Sequence, residues 1–126
     1  MYESGEDYLE AILMIQNEIG TVHSVDVAHK LNVSKPSVSR AMGILKDDGY
    51  IFFDDSHHIE FTAKGREKAE SIYARHRLLT TFFMTITGVP EDQAEQNACR
   101  VEHVIDADIV AGIKRWMESG APVRPN

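Results

Sequence analysis

The period of the apolar residues changes along the chain, and that change limits what the chain can fold into. Up to residue 49, apolar side chains recur three or four apart: Tyr8, Leu9, Ile12, Leu13, Ile15 and Ile19, then Val25 to Leu31, then Val38, Met42 and Leu45. This is the spacing of helices with one buried face. At Tyr50-Ile51-Phe52-Phe53 the run turns aromatic and β-branched, and Ile59-Glu60-Phe61 alternates. The polar stretch Asp54-Asp55-Ser56-His57-His58 lies between them. That pattern is a hairpin signature. From Thr62 the helical period returns through Ala69, Ile72, Tyr73, His76, Leu79 and Phe83.

Local signals set the expected limits. Ser4 is placed to cap the first helix and Gly20 to stop it. Ser24 is the expected cap of a short helix from Val25 to Leu31, and Asn32-Val33 makes a tight turn. A third helix starts at Ser34 or Lys35, with Pro36 in its first turn, and ends near Gly49. Thr62 caps a long helix that Gly88-Val89-Pro90 breaks. Pro90 to Ile105 and Ala107 to Glu118 are the last two helices; Gly120, Pro122 and Pro125 mark a frayed tail. Two short helices, a tight turn and a hairpin make a winged helix-turn-helix. The expected fold is therefore mostly α with a small β-hairpin wing. Residues 1–62 form the winged helix-turn-helix and residues 63–126 a helical domain.

Charge is segregated along the chain. The 126 residues carry a net −7. Residues 1–19 hold five acids and no Lys or Arg, residues 20–80 nine bases and eight acids, and residues 81–126 four bases and seven acids. A generally basic nucleic-acid coat is excluded, but a polyanion has a place in the middle third and cations have places at the ends. In a winged helix-turn-helix the third helix enters the major groove. Its exposed candidates are Ser34, Lys35, Pro36, Ser37, Ser39 and Arg40, with Lys46 near its end and His57 at the wing tip. Short hydroxyl donors flanked by cations suit phosphate positioning and a few base-edge contacts. The bland alternative, a solvated helix face, stays open on the residues alone. Cys99 is the single cysteine, so no internal disulfide can form, which fits a cytoplasmic protein. The longest apolar run, Ala11 to Ile15, is far short of a membrane span, and the start of the chain shows no signal-peptide pattern.

The acidic ends hold a second pattern. Asp7 and Glu10 are three apart on the first helix and share a face. Cys99, Glu102 and His103 share a face of the fifth helix, and His76 lies on the apolar stripe of the long one. Three carboxylates gathered without a cation repel one another, at about 4 Å and an effective dielectric near 20 by on the order of 4 kcal/mol per pair. A divalent cation reverses that sign. Each piece alone has an ordinary reading: a core histidine, helix-start acids, a small buried thiol. Their joint occurrence favours a metal site.

These residues resemble the diphtheria-toxin-repressor and manganese-transport-regulator family. The resemblance rests on Glu6-Asp7-Tyr8-Leu9-Glu10, Val33-Ser34-Lys35-Pro36-Ser37-Val38-Ser39, Leu45 to Ile51, Thr62-Ala63-Lys64-Gly65, Arg75-His76-Arg77-Leu78-Leu79 and Cys99-Arg100-Val101-Glu102-His103. It implies a metal-activated, dimeric repressor that binds palindromic operators near metal-uptake genes. It implies metal ligands at Asp7, Glu10, His76, Glu102 and His103, with Cys99 at a sixth position. It also implies dimerisation through the C-terminal helices and no third, small β-barrel domain. The ligand set is a hybrid. Asp7 is similar to the manganese regulators, which usually carry Glu at the position of Cys99; Cys99 is similar to the iron regulators, which usually carry Met at the position of Asp7. Oxygen-rich ligands favour Mn²⁺, with Fe²⁺ the alternative and Co²⁺ or Zn²⁺ able to substitute in vitro. The shared carboxylates allow two neighbouring ions per chain. The expected partners are an operator duplex and a second copy of the chain, with no membrane and no organic cofactor. One rival is a metalloenzyme, but no spare general base, oxyanion donor or Gly-rich phosphate loop is evident. A second is a helix-turn-helix regulator that answers to a small organic ligand rather than a metal, which a pocket of carboxylates beside Cys99, Glu102 and His103 would hold poorly. A third, a metal-storage or scaffold protein, leaves the basic middle third unexplained.

Overall fold

The structure, a computed structural model, describes residues 3–120, with side chains from residue 5. Its elements run α1 (Glu3–Ile19), α2 (Ser24–Leu31), α3 (Lys35–Asp47), β1 (Ile51–Phe53), β2 (Ile59–Phe61), α4 (Ala63–Thr87), α5 (Glu91–Val101) and α6 (Ala107–Glu118). The chain divides into two compact units, Met1–Ile72 and Tyr73–Asn126, so the division falls inside α4. No helix among the described residues is long and apolar enough to cross a membrane.

In the first unit α1, α2 and α3 pack on one another through Leu9, Ile12, Val27, Val38 and Met42, each essentially fully buried. Asn32 supplies the left-handed residue that the turn between α2 and α3 requires (φ 54°). The hairpin follows in antiparallel register, Ile51 opposite Phe61 and Phe53 opposite Ile59. Ile51 and Ile59 point inward while Phe52 is exposed. The Ile59 N–H donates to the Val22 carbonyl at 2.8 Å, which fastens the wing to the segment before α2.

Some local limits differ from expectation. α1 begins at Glu3, so Ser4 lies inside its first turn rather than capping it. The N-cap of α2 is His23, not Ser24: the His23 N–H donates to Asp26 Oδ2 at 2.9 Å, so an acid three residues on closes the helix start. Thr62 caps α4 as expected, accepting from the backbone N–H of Gly65 (3.0 Å), and α3 starts at Lys35 with Ser34 as its cap, accepting from the backbone N–H of Ser37 (3.2 Å). α5 stops at Val101, four residues early. Val104 and Ile105 both donate to the Val101 carbonyl, and Asp106 is extended to begin α6. Pro122 and Pro125 of the expected tail lie outside the described residues.

In the second unit the buried side of α4 carries His76, Leu79 and Thr80, and that of α5 carries Ala94 and Ala98. Trp116 of α6 meets Phe82 edge to face at 5.7 Å. α6 is strongly amphipathic, yet none of its residues is buried within the chain.

One glycine is fixed by close approach. A Cβ on Gly65 would stand 1.8 Å from the Tyr50 backbone oxygen, where α4 starts against the wing. Gly65→Ala should therefore cost at least about 2 kcal/mol of stability, because backbone and not a flexible side chain must move. Urea denaturation with an unchanged midpoint would show that α4 does not need this approach.

Candidate metal centre

The second unit builds a polar cluster around one carboxylate. Glu102 caps the C-terminus of α5 and is 1% exposed. Its Oε2 lies 3.0 Å from His76 Nδ1 of α4, and its Oε1 lies 3.3 Å from His103 Nε2. Among the described residues, no donor reaches Oε1 in hydrogen-bonding geometry. His76 is itself buried, and its Nε2 faces Glu95 Oε1 at 3.4 Å. The Arg75 Nη1 donates to the Glu102 backbone carbonyl at 2.9 Å.

This chemistry fits a divalent cation. A buried carboxylate is strongly disfavoured unless compensated. Two imidazoles and an oxygen pair are ligands for first-row divalent metals. The 3.0 Å between His76 Nδ1 and Glu102 Oε2 is a hydrogen bond when a proton lies between them. The same two atoms would also be close enough to hold one divalent cation together.

The other expected ligands stand as follows. Asp7 and Glu10 lie in the first unit, three apart on α1; Glu10 is buried and Asp7 half-buried. α1 is held to the first part of α4 by Lys68 Nζ to Glu6 Oε2 (3.3 Å) and Arg66 Nη2 to Gln16 Oε1 (2.6 Å). Cys99 is exposed, and no cluster of three or more donors among the described residues includes it. Glu102 follows the last residue of α5 with helical backbone angles, and its N–H donates to the Ala98 carbonyl at 2.8 Å. Sequence reasoning missed Glu95 and Arg75. The signal was present, since Arg75 adjoins His76 and Glu95 precedes Glu102 by two turns of α5.

The α3 face is also laid out. Lys35, Pro36, Ser39, Arg40 and Lys46 are exposed, while Val38, Met42 and Leu45 are buried on the opposite side. Ser34 and Ser37 serve the helix start, their hydroxyls 2.9 Å apart. His57 is exposed at the wing tip with φ 63°. His58 turns inward instead, its Nδ1 3.0 Å from Asp54 Oδ2 and its ring 4.6 Å from that of His23. Asp54 also accepts the backbone N–H groups of His58 (2.8 Å) and Ser56 (2.9 Å). The bond from the His58 N–H, foremost, holds the Asp54 carboxyl below its ordinary range.

Comparison with known proteins adds a family. Residues 1–59 match the model of the iron dependent repressor N-terminal DNA binding domain, and residues 62–119 that of the iron dependent repressor metal binding and dimerisation domain. The iron-dependent repressor IdeR of Mycobacterium leprae is 30% identical over 109 residues, 86% of this chain. The chain spans 47% of that relative's length. An uncharacterised HTH-type transcriptional regulator of Methanocaldococcus jannaschii is 31% identical over 94% of this chain and 95% of its own length. The solved structure of a manganese-dependent transcriptional repressor in complex with manganese superposes with a TM-score of 0.81 at 28% identity, covering 95% of this chain and 54% of that one.

Glu102→Gln keeps the shape of the side chain and removes its charge. Isothermal titration should show Mn²⁺ affinity reduced at least about tenfold, with the melting temperature in chelator close to wild type. Unchanged affinity would take Glu102 out of the ligand set.

Proposed function

The chain belongs to the iron-dependent repressor family of metal-dependent transcriptional repressors, and from that premise we propose that it is a Mn²⁺-responsive repressor binding a palindromic operator as a homodimer. The observation that carries this reading is the buried Glu102 carboxylate with an imidazole at each oxygen. The proposed ligands are Asp7, Glu10, His76, Glu102 and His103. Cys99 is left out because it is exposed. The remaining donors are oxygen and nitrogen, which favours Mn²⁺ over softer metals. Each Glu102 oxygen faces a different imidazole, and the shared carboxylates would allow two ions per chain. Fe²⁺ is the second reading, supported by the identity to the mycobacterial iron-dependent repressors.

When bound, the cation supplies positive charge that offsets the gathered carboxylates. The rest is done by the chain. Asp7 and Glu10 ride on α1, which packs against α2 and α3. His76, Glu102 and His103 belong to the second unit. A cation held by both sets would couple the DNA-reading unit to the dimerising one. The dimer contact is assigned to α6, whose apolar Ile109 is exposed and whose Val110, Ile113 and Trp116 are only half-buried within one chain. Its domains are residues 1–62, for DNA, and 63–126, for metal and dimerisation. Half-sites one helical turn apart are about 34 Å from centre to centre, so the relative setting of two reading heads decides whether both dock. Lys35, Pro36, Ser37, Ser39 and Arg40 enter the major groove, with Ser34, Lys46 and His57 at the backbone.

The test is fluorescence anisotropy on a duplex selected from a random pool with the protein and Mn²⁺. Mn²⁺ should tighten binding by roughly 5–150-fold over chelator, the range of a coupling of about 1–3 kcal/mol. Equal affinity in Mn²⁺, Fe²⁺ and chelator would remove the metal switch. Arg40→Ala should weaken DNA binding while leaving Mn²⁺ affinity without DNA unchanged.

A further inference from the structure

We infer that Arg75 is a positioning residue for the metal ligands, acting through the backbone of Glu102; the inference rests on the metal-binding reading above. Glu102 and His103 do not sit on a regular helix. They follow Val101, where α5 ends, in a turn whose Val104 and Ile105 amides both return to the Val101 carbonyl. The last carbonyls of a helix have no partner within it. Among the described residues, the donor to the Glu102 carbonyl is the Arg75 guanidinium, at 2.9 Å.

Arg75 and His76 are consecutive on α4, a helix that runs unbroken from Ala63 to Thr87. One residue grips the backbone of Glu102 and the next meets its carboxylate at 3.0 Å. Two contacts from neighbouring positions on a rigid helix fix both the place and the orientation of residue 102, and with it the start of His103. One contact alone would leave the turn able to swivel about the imidazole. The guanidinium is half-buried and bonds the carbonyl, so the carboxylate oxygens remain directed at His76 and His103. Outer groups that orient metal ligands typically change affinity 10–100-fold when removed.

An arginine at a helix C-terminus has a plainer role, stabilising the dipole there. The two roles differ in what a substitution moves. The test compares wild type, Arg75→Met and Arg75→Lys by Mn²⁺ titration, by the visible absorption of the Co²⁺-loaded proteins, and by thermal melting in chelator. The expected result for Arg75→Met is a 10–100-fold loss of Mn²⁺ affinity and an altered Co²⁺ spectrum at saturation. Because the bond is a single one to a carbonyl, not a bidentate fork, Arg75→Lys should recover most of the affinity and the wild-type spectrum. If Arg75→Met does not fold, Arg75→Gln, which is neutral and shorter, should show the same loss. Wild-type protein that binds Mn²⁺, together with a folded Arg75→Met or Arg75→Gln of equal affinity and identical spectrum, overturns the inference alone. A lowered melting temperature with unchanged metal binding does the same, by assigning Arg75 the plainer role. Wild-type protein that binds no Mn²⁺ overturns the metal reading and this inference together.

Discussion

A carboxylate sealed from solvent and met by an imidazole at each oxygen is the constraint on which the second unit depends. Burying a charge of this kind without compensation is among the costliest things a small fold can do. Glu102 is nevertheless 1% exposed, with His76 and His103 at 3.0 and 3.3 Å. The surrounding backbone is arranged to keep it there. α5 ends one residue before it, Arg75 takes its carbonyl, and Asp106 starts α6 only after a turn. A plain structural ion pair would need less than this. A hydrophobic residue of similar volume often serves a core as well as a buried pair does, so the polar cluster points to a task other than packing.

The first unit is organised by different forces. Its helices are held by apolar burial and by caps that the residue types announce: Ser34 before α3, Thr62 before α4, Asn32 in the turn. The wing is fixed by Ile51 and Ile59 beneath and by Asp54, which gathers two amides and an imidazole at its turn. The outward face of α3 is left polar and cationic because its core positions are filled by Val38, Met42 and Leu45. The same arrangement satisfies packing and leaves Lys35 and Arg40 available to a phosphate backbone.

Much of this was legible in the residue order, for identifiable reasons. Periodicity reports burial, so the helices and the hairpin emerged at nearly their observed limits. Capping by a small hydroxyl was legible where the hydroxyl is the cap, and misread at His23, where the cap works through Asp26. The fifth helix was drawn too long because nothing in Glu102-His103-Val104-Ile105 breaks a helix; the stop comes from Asp106 having to begin the next one. Arg75 and Glu95 were missed because each acts on a residue 19 or more positions away, a relation that spacing does not reveal. His76 was legible as a polar residue on an apolar stripe, and the structure sets it against Glu102.

The most direct measurement is the position of manganese in a crystal grown with Mn²⁺, read from anomalous scattering. The account predicts a peak bonded to Glu102 and to His76 or His103, with a carboxylate of Asp7 or Glu10 in the same coordination sphere. Manganese found elsewhere, with no ion on Glu102, would contradict it.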